Sequence, residues 1–300
     1  MDDDFSRVFR NLGFAYDEVL NDTEKSMEAY QKAIELNPDD ARYFAEYDAI
    51  REKADVSAKE RLALMKKHRK TLEKRDDAMM RLARLYTATG NYDKALDIVI
   101  NRHFHVWEGG GSIHDVFVEA NLLRGIDEFA KGKYEKALED FKRASTYPEN
   151  LEVGEPEGGG RRSSQINYLI ALSYEKLNNT EKATVYYKIA SMKENRRFPE
   201  GDFYKALAMK KLGKEPEALV VLKNLEETAN ERLKTGQEAD FFSKFGEEMR
   251  ENVGISQAYY LLGLANLGMN NREVAMQYLN QAYEYDKNNK WIEIMQQTKV

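Results

Sequence analysis

The feature that most constrains the fold is a spacing of residues that recurs along the whole chain. A small residue is followed four positions later by a bulky apolar residue, and usually by alanine after three more. Offsets of four and three place these side chains on one face of a helix. The spacing occurs at Ser26/Tyr30/Ala33, Ala95/Val99/Arg102, Ala137/Phe141/Ala144, Ala183/Tyr187/Ala190, Ala218/Leu222/Leu225 and Ala275/Leu279/Ala282.

A second helix with its own pattern precedes several of these segments. It pairs a bulky with a small residue and often adds an aromatic residue, and short polar turns such as LNDTEK and TGNYDK follow it. The sequence therefore predicts a repeated unit of helix, tight turn and helix, in which small residues let two backbones approach closely. The pattern reads Leu12-Gly13 with Tyr16, Leu82-Ala83 with Tyr86, Ile170-Ala171 with Tyr174, and Leu262-Gly263.

These segments resemble the tetratricopeptide repeat, a 34-residue helix pair. The resemblance is clearest for FRNLGFAYDEVLNDTEKSMEAYQKAIELNPDD at 9–40 and NYLIALSYEKLNNTEKATVYYKIA at 167–190, and Pro38 stands where the family stops a helix. It implies an all-α fold, a right-handed superhelix of about seven antiparallel helix pairs forming one continuous domain over residues 1–300. It says little about function, because such repeats bind many unrelated partners.

Three insertions interrupt the repeats. The spacing from Ala95 to Ala137, from Ala137 to Ala183, and from Ala218 to Ala275 exceeds the 34-residue period by 8, 12 and 23 residues. The surplus residues fall near 103–114, 149–164 and 226–254, always after the second helix of a repeat. We therefore expect the insertions to share one edge, which in repeat proteins is often the binding face, and to make the loops of Trp107 and Arg161 neighbours.

That edge supplies one set of candidate contact residues. They are His103, His105, Trp107, Glu108, Arg161 and Arg162. Trp107 beside three glycines suits stacking on a sugar or gripping a peptide, but it equally suits filling a gap in a distorted repeat. The segment GEPEGGGRRSS lacks the ending of a phosphate-binding loop, so its arginines either meet an anionic group near a helix start or lie in an exposed loop.

The histidines raise the question of a metal. In an extended segment, the H-x-H of His103 and His105 places both rings on one side, and Glu108 or His114 could complete a zinc set. No helix-borne pair of the H-E-x-x-H type supports such a site. From the sequence we therefore expect no metal and no cofactor.

A second candidate surface is the groove lined by the first helix of each repeat. Its candidate residues are Arg10, Asn11, Phe14, Tyr168, Leu172 and Tyr260. A resemblance to chaperone-type tetratricopeptide repeats would imply a clamp of basic and asparagine residues for a carboxyl terminus. Arg10 and Asn11 fit such a clamp, but Phe14 stands where it would need asparagine, so we do not assign this function.

Composition excludes several classes of protein. The net charge of −6 and the absence of a long basic block argue against nucleic acid, and no apolar run or basic amphipathic helix suggests a membrane. The lack of cysteine excludes disulfides and thiolate sites, and no catalytic constellation is present. We expect a non-enzymatic protein that is cytoplasmic as given, since MDDDFSRVFR is no signal peptide.

A narrower resemblance leaves two functions open. NRHFHVWEGGG and YPENLEVGEP look like the C-terminal repeat region of large bacterial proteins with a domain of unknown function and carbohydrate-related β-sandwich domains. Because Phe5 already belongs to a repeat, the chain would then be a fragment of a longer protein. The favoured function is a scaffold that binds a partner segment or a companion domain, and the alternative is a carbohydrate-associated accessory module. Self-association through the end repeats is compatible with both.

Overall fold

The computed structural model describes residues 3–105, 112–157, 159–195, 198–235 and 251–297, and all their regular secondary structure is helical. A single 3-10 turn, Glu149–Leu151, accompanies sixteen α-helices in these ranges. The helices are α1 (Asp3–Glu18), α2 (Thr23–Leu36), α3 (Ala41–Lys53), α4 (Ala58–Lys67), α5 (Arg69–Leu72), α6 (Asp76–Ala88), α7 (Tyr92–Asn101), α8 (Ile113–Ala130), α9 (Tyr134–Ala144), α10 (Ser163–Lys176), α11 (Thr180–Met192), α12 (Glu200–Lys211), α13 (Glu215–Thr235), α14 (Glu251–Gly268), α15 (Arg272–Tyr285) and α16 (Lys290–Gln297).

The helices follow one another as seven pairs, which confirms the all-α prediction and the expected number of units. Six pairs are consecutive helices joined by a tight turn, from α1 and α2 to α14 and α15. The remaining pair is the degenerate second unit, in which α3 is followed by α4 and the one-turn helix α5. The short helix α16 follows the last pair.

The recurring spacing builds the core, as the sequence predicts. The small and bulky members of all six triplets are buried. A β-carbon added at Gly13 would lie 2.7 Å from the ring of Tyr30, and one at Gly263 would lie 2.7 Å from Leu279. The small residues therefore bring paired helices so close that the bulky residue of the second helix fills the space a side chain would take.

Each of the six tight turns contains one residue with positive φ, two positions before the second helix begins. In five of the turns the residue after it donates its backbone N–H to a carbonyl five positions earlier, and in the first turn Asp22 donates to Tyr16, six positions earlier. These bonds, at 2.8–2.9 Å, cap the first helix of each pair. Glycine and asparagine tolerate this conformation best, and no other residue type occupies the position. The six are Asn21, Gly90, Gly132, Asn178, Gly213 and Asn270.

The chain forms two compact units. The first comprises residues 1–124 with 146–154, and the second comprises residues 125–145 with 155–300. In the first unit a buried ion-pair network joins the degenerate pair to its neighbour, because Arg61 meets Asp48 at 2.8 Å and Arg81 meets both Asp48 and Glu52 at 3.2 Å. No helix in the described ranges has the length and hydropathy needed to cross a lipid bilayer.

All three predicted insertions include helical residues. The first ends in α8, whose helix begins at Ile113, and the third begins in α13, which continues to Thr235. Residues 106–111 and 236–250 lie outside the described residues. The insertion near 149–164 begins with the 3-10 turn and ends where α10 begins at Ser163.

Candidate functional site

In the first unit, the segment after α7 lies against the start of the second insertion. Phe104 donates its backbone N–H to the carbonyl of Asn150 at 2.8 Å, and the Asn150 side chain donates to the carbonyls of Val99 and Arg102 at 2.8 and 2.7 Å. Phe104 and Leu151 are fully buried between them. The start of the first insertion and the start of the second are thus held together by backbone and side-chain contacts.

This contact brings together three groups that can bind a metal. The rings of His103 and His105 lie 4.8 Å apart between centroids, and His103 Nε2 lies 2.8 Å from Glu152 Oε1. The ligand atoms of the three side chains lie within 4.8 Å of one another. The third group is Glu152, forty-nine residues after His103. Of the two residues considered from the sequence, His114 instead stacks on Tyr147 and contacts the carbonyl of Thr146, and Glu108 lies outside the described residues.

A buried carboxylate orients one of these histidines. Asp76, only 2% exposed, accepts from the backbone N–H of His105 at 2.8 Å and contacts His105 Nδ1 at 3.0 Å, while Arg102 Nε donates to it at 2.8 Å. Burial raises the pKa of Asp76, but these hydrogen bonds lower it by more, so the pKa lies below its ordinary value. The ionised carboxylate fixes the orientation of the His105 ring.

The candidate groove residues in the first unit contact one another. Arg10 forms a bidentate ion pair with Glu46 of α3, with Nε donating at 2.7 Å, and also donates to Asn11 at 3.2 Å. Its guanidinium lies 5.6 Å from the centre of the half-exposed Phe14 ring. Because Glu46 already pairs with Arg10, a ligand carboxylate here would have to compete with it.

The second unit contains a cavity of about 270 Å³. It lies at the N-terminal ends of α10, α12 and α14, the first helices of three successive pairs, and the α15–α16 connection closes its side. It unites one residue from each candidate set, Arg162 from the insertion edge and Tyr260 from the groove. Its lining residues are Arg162, Gln165, Phe198, Glu200, Tyr204, Val253, Gln257, Tyr260, Asp286, Asn289 and Trp291.

Aromatic rings hold Arg162 in the cavity wall. Its guanidinium carbon lies 4.6 Å from the ring centre of Phe198 and 4.5 Å from that of Trp291, and its Nη1 donates to Gln165 at 2.9 Å. Cation–π contacts of this kind are favourable when they are shielded from water. The guanidinium therefore covers a face of each ring.

Two glutamines connect the neighbouring helices to α12. Gln165 of α10 donates to the hydroxyl of Tyr204 at 3.0 Å, and Gln257 of α14 donates to Glu200 Oε1 at 3.0 Å. Burial raises the pKa of Tyr204 and of Tyr260 above the ordinary tyrosine value. Both hydroxyls therefore stay neutral, and that of Tyr204 accepts the hydrogen bond from Gln165.

Glu200 has an unsatisfied oxygen. The residue is only 8% exposed, and among the described residues no donor lies within hydrogen-bond distance of its Oε2. Burying a carboxylate oxygen without a donor costs free energy, and such atoms are rare in native proteins. The cavity thus presents an acceptor that a bound group with an N–H or O–H donor would satisfy.

The other candidate residues occupy different surroundings. Tyr168 packs against Tyr187 and Tyr204, with ring centres 5.7 and 5.9 Å apart, and burial raises its pKa to about 12. Leu172 is half-buried one turn further along α10, and Arg161 is exposed. Trp107 and Glu108 lie outside the described residues, so the expected proximity of the Trp107 and Arg161 loops stays a prediction.

Several cavity residues were not predicted from the sequence, although a recurring residue pattern marks some of them. The order Ser-Gln, two residues, then Tyr occurs at 164–168 and again at 256–260. Both serines are buried and donate to the last alanine of their triplet, Ser164 to Ala190 at 3.3 Å and Ser256 to Ala282 at 2.8 Å. The serine fixes the register of each copy, and both glutamines and Tyr260 line the cavity, whereas Tyr168 packs against Tyr204. No comparable pattern marks Glu200 or Trp291.

Comparison with known proteins agrees with this architecture. A tetratricopeptide repeat family model matches residues 8–40, 164–190 and 256–289, which correspond to three of the tight helix pairs, and a second model of the same repeat matches residues 77–98.

Similarity to solved structures extends over most of the chain. A tetratricopeptide repeat protein from Parabacteroides merdae is 15% identical, with 98% of each chain covered and a TM-score of 0.53. The apo form of the quorum sensor NprR from B. thuringiensis is 13% identical over 93% of this chain and 76% of its own, with a TM-score of 0.44. The C-terminal part of a repeat protein from Cytophaga hutchinsonii is 12% identical over 97% of this chain and 100% of its own, with a TM-score of 0.41. The matched segments and the likeness to the first structure show that the chain carries tetratricopeptide repeats.

Proposed function

We propose that the chain is a non-catalytic protein-interaction scaffold, and that the cavity of its second unit receives a basic side chain of a partner segment or companion domain. The tetratricopeptide repeat fold suggests a scaffold of this type. The observation that carries the finer proposal is Glu200 Oε2, a buried carboxylate oxygen with no donor among the described residues.

The charges of the lining favour a cationic occupant. Glu200 and Asp286 contribute two carboxylates, and Arg162 contributes one guanidinium that lies between Phe198 and Trp291. A lysine or arginine side chain would donate to Glu200 Oε2 and offset the charge of that carboxylate. Charge-assisted hydrogen bonds of this kind are stronger than neutral ones.

The size of the cavity supports a side chain rather than a cofactor or a sugar. A volume of about 270 Å³ lies just below the ~300–1,000 Å³ of typical small-molecule sites. Trp291 is only 6% exposed and carries the Arg162 guanidinium on its ring, which argues against stacking of a sugar there. The carbohydrate-associated alternative depends mainly on the loop of Trp107, which lies outside the described residues.

A display library of random peptides, panned against the folded protein, tests the proposal. We expect the selected peptides to share lysine or arginine at one position. For such a peptide, Glu200→Gln should raise the dissociation constant about 10- to 100-fold, because a hydrogen bond to a charged group contributes about 1.5–3 kcal/mol. The change removes the charge and keeps the shape of the side chain.

Glu215→Gln is the matched control. Glu215 is also the first residue of a helix, α13, but its side chain is exposed, so peptide affinity should stay unchanged. Selected peptides without a basic residue, or equal affinity for the Glu200→Gln and wild-type proteins, would refute the proposal. A tryptophan fluorescence response to a saccharide panel that Glu200→Gln abolishes would assign the cavity to a carbohydrate instead.

A further inference from the structure

We propose that His103, His105 and Glu152 form a zinc site on the first unit, separate from the cavity and independent of its function. Two imidazoles and one carboxylate are ligands that zinc prefers, and a water molecule completes the tetrahedron in many sites with three protein ligands. The structure supplies a third ligand that the sequence pattern did not suggest, because Glu152 comes from a different connector.

The separations between the three ligand atoms are compatible with zinc after small side-chain rotations. The three ligand atoms lie within 4.8 Å of one another, whereas zinc bonds of about 2.0–2.1 Å place tetrahedral donor atoms about 3.3 Å apart. The side chains of His103 and His105 are 54% and 50% exposed, so small rotations bring their nitrogens to this separation without disturbing the core. Glu152 Oε1 already lies 2.8 Å from His103 Nε2.

Asp76 provides the outer support that metal-binding histidines usually have. Its buried carboxylate contacts Nδ1 of His105, which makes Nε2 the ligating nitrogen of that ring. Arg102 holds the same carboxylate through Nε at 2.8 Å. When a ligating histidine donates its other ring N–H to a carboxylate, the bond fixes the tautomer and orientation of the ring and strengthens metal binding.

The backbone of Glu152 is a second unusual feature of the cluster. Five described residues other than glycine have positive φ, and Glu152, with φ of 51°, is the one that is neither asparagine nor aspartate. A glutamate in this conformation is strained by about 1–2 kcal/mol relative to an ordinary backbone. Strain of this kind is often found at functional positions, and here it places the carboxylate beside His103.

Binding of zinc to chelator-treated protein without a purification tag tests the site. We expect one equivalent to bind with a dissociation constant of about 1 μM or lower in competition with a chromogenic zinc indicator. The variants His103→Gln and Glu152→Gln should each weaken binding at least 10-fold, and zinc should raise their melting temperatures by less than that of the wild-type protein. Magnesium should not compete, because it prefers oxygen ligands.

His68→Gln is the control, since His68 packs on the ring of Phe44, 4.6 Å between centroids, and is not part of the cluster. Its zinc affinity should equal that of the wild type. Circular dichroism shows whether each variant is folded. Because the side chain of His103 is exposed, His103→Gln should disturb the fold least. Absence of stoichiometric zinc at about 10 μM free ion, or binding that survives both His103→Gln and Glu152→Gln, would overturn the proposal.

Discussion

Gly125 shows how strictly single residues are determined within a repeat. A β-carbon at this position in α8 would lie 2.5 Å from a ring carbon of Phe141, closer than such atoms approach in real proteins. Gly13 and Gly263 stand in the same relation to Tyr30 and Leu279. The pairing of a missing side chain with a large one is therefore a repeated packing device.

Replacing Gly125 by alanine should destabilise the protein. Alanine favours a helix over glycine by about 0.5–1 kcal/mol, but overpacking a filled core costs about 1–3 kcal/mol. We expect a net loss of about 1 kcal/mol or more in the free energy of unfolding, measured by urea denaturation. The double variant Gly125→Ala/Phe141→Leu should lose less than the sum of the single variants. Additive losses would contradict the proposed clash.

At the scale of helices, the turns decide where each pair folds back. Sequence analysis identified these segments as short and polar, and the structure adds that each places one residue at positive φ, two positions before the next helix. Asparagine and glycine are the two residue types found there, because both adopt the left-handed conformation at low cost. The rule is local, so it could have been read from the sequence.

Gly90 allows this rule to be tested without a packing effect, because no atom lies within 4 Å of an added β-carbon. Its φ is 75°. Gly90→Ala should lower the free energy of unfolding by about 1–2 kcal/mol, the cost of left-handed backbone in an ordinary residue. Gly90→Asn should cost clearly less, since three other turns use asparagine at this position. Equal losses in urea denaturation would refute the explanation.

At the scale of the whole molecule, ionised carboxylates connect stability to pH. Burial raises the pKa of Glu52, but Arg61 and Arg81 lower it by more. The pKa of Asp76 is likewise below its ordinary value. A carboxyl group whose pKa is lower in the folded state binds more protons when unfolded. Its contribution is present above the unfolded value and is lost as the pH falls through the folded value.

We therefore expect the urea midpoint to fall as the pH is lowered below the ordinary values of 4.5 for glutamate and 3.8 for aspartate. Asp202 opposes this trend, because burial raises its pKa. Glu52→Gln should make the dependence shallower, whereas Glu215→Gln, an exposed change, should leave its slope unaltered. A midpoint that stays constant through this acidic range would contradict the assignment.

The sequence by itself determined the fold and the number of helix pairs. Repeat spacing depends on contacts between residues three, four and about seventeen positions apart, which recur in every copy, so each triplet and each turn repeats the same information. The small residues at Gly13 and Gly263 and the polar turns were recognisable for this reason. The insertions were also recognisable, because they interrupt the period.

Only the tertiary structure decided which distant side chains meet. Glu152 joins His103 across forty-nine residues through connectors that have no period of their own, and Glu200 at the start of α12 meets Gln257 of α14 across fifty-seven residues. Their positions depend on how insertions pack against the ends of helices, which no local pattern encodes. The repeats were therefore readable from spacing alone, whereas the two proposed sites required the coordinates of the connectors.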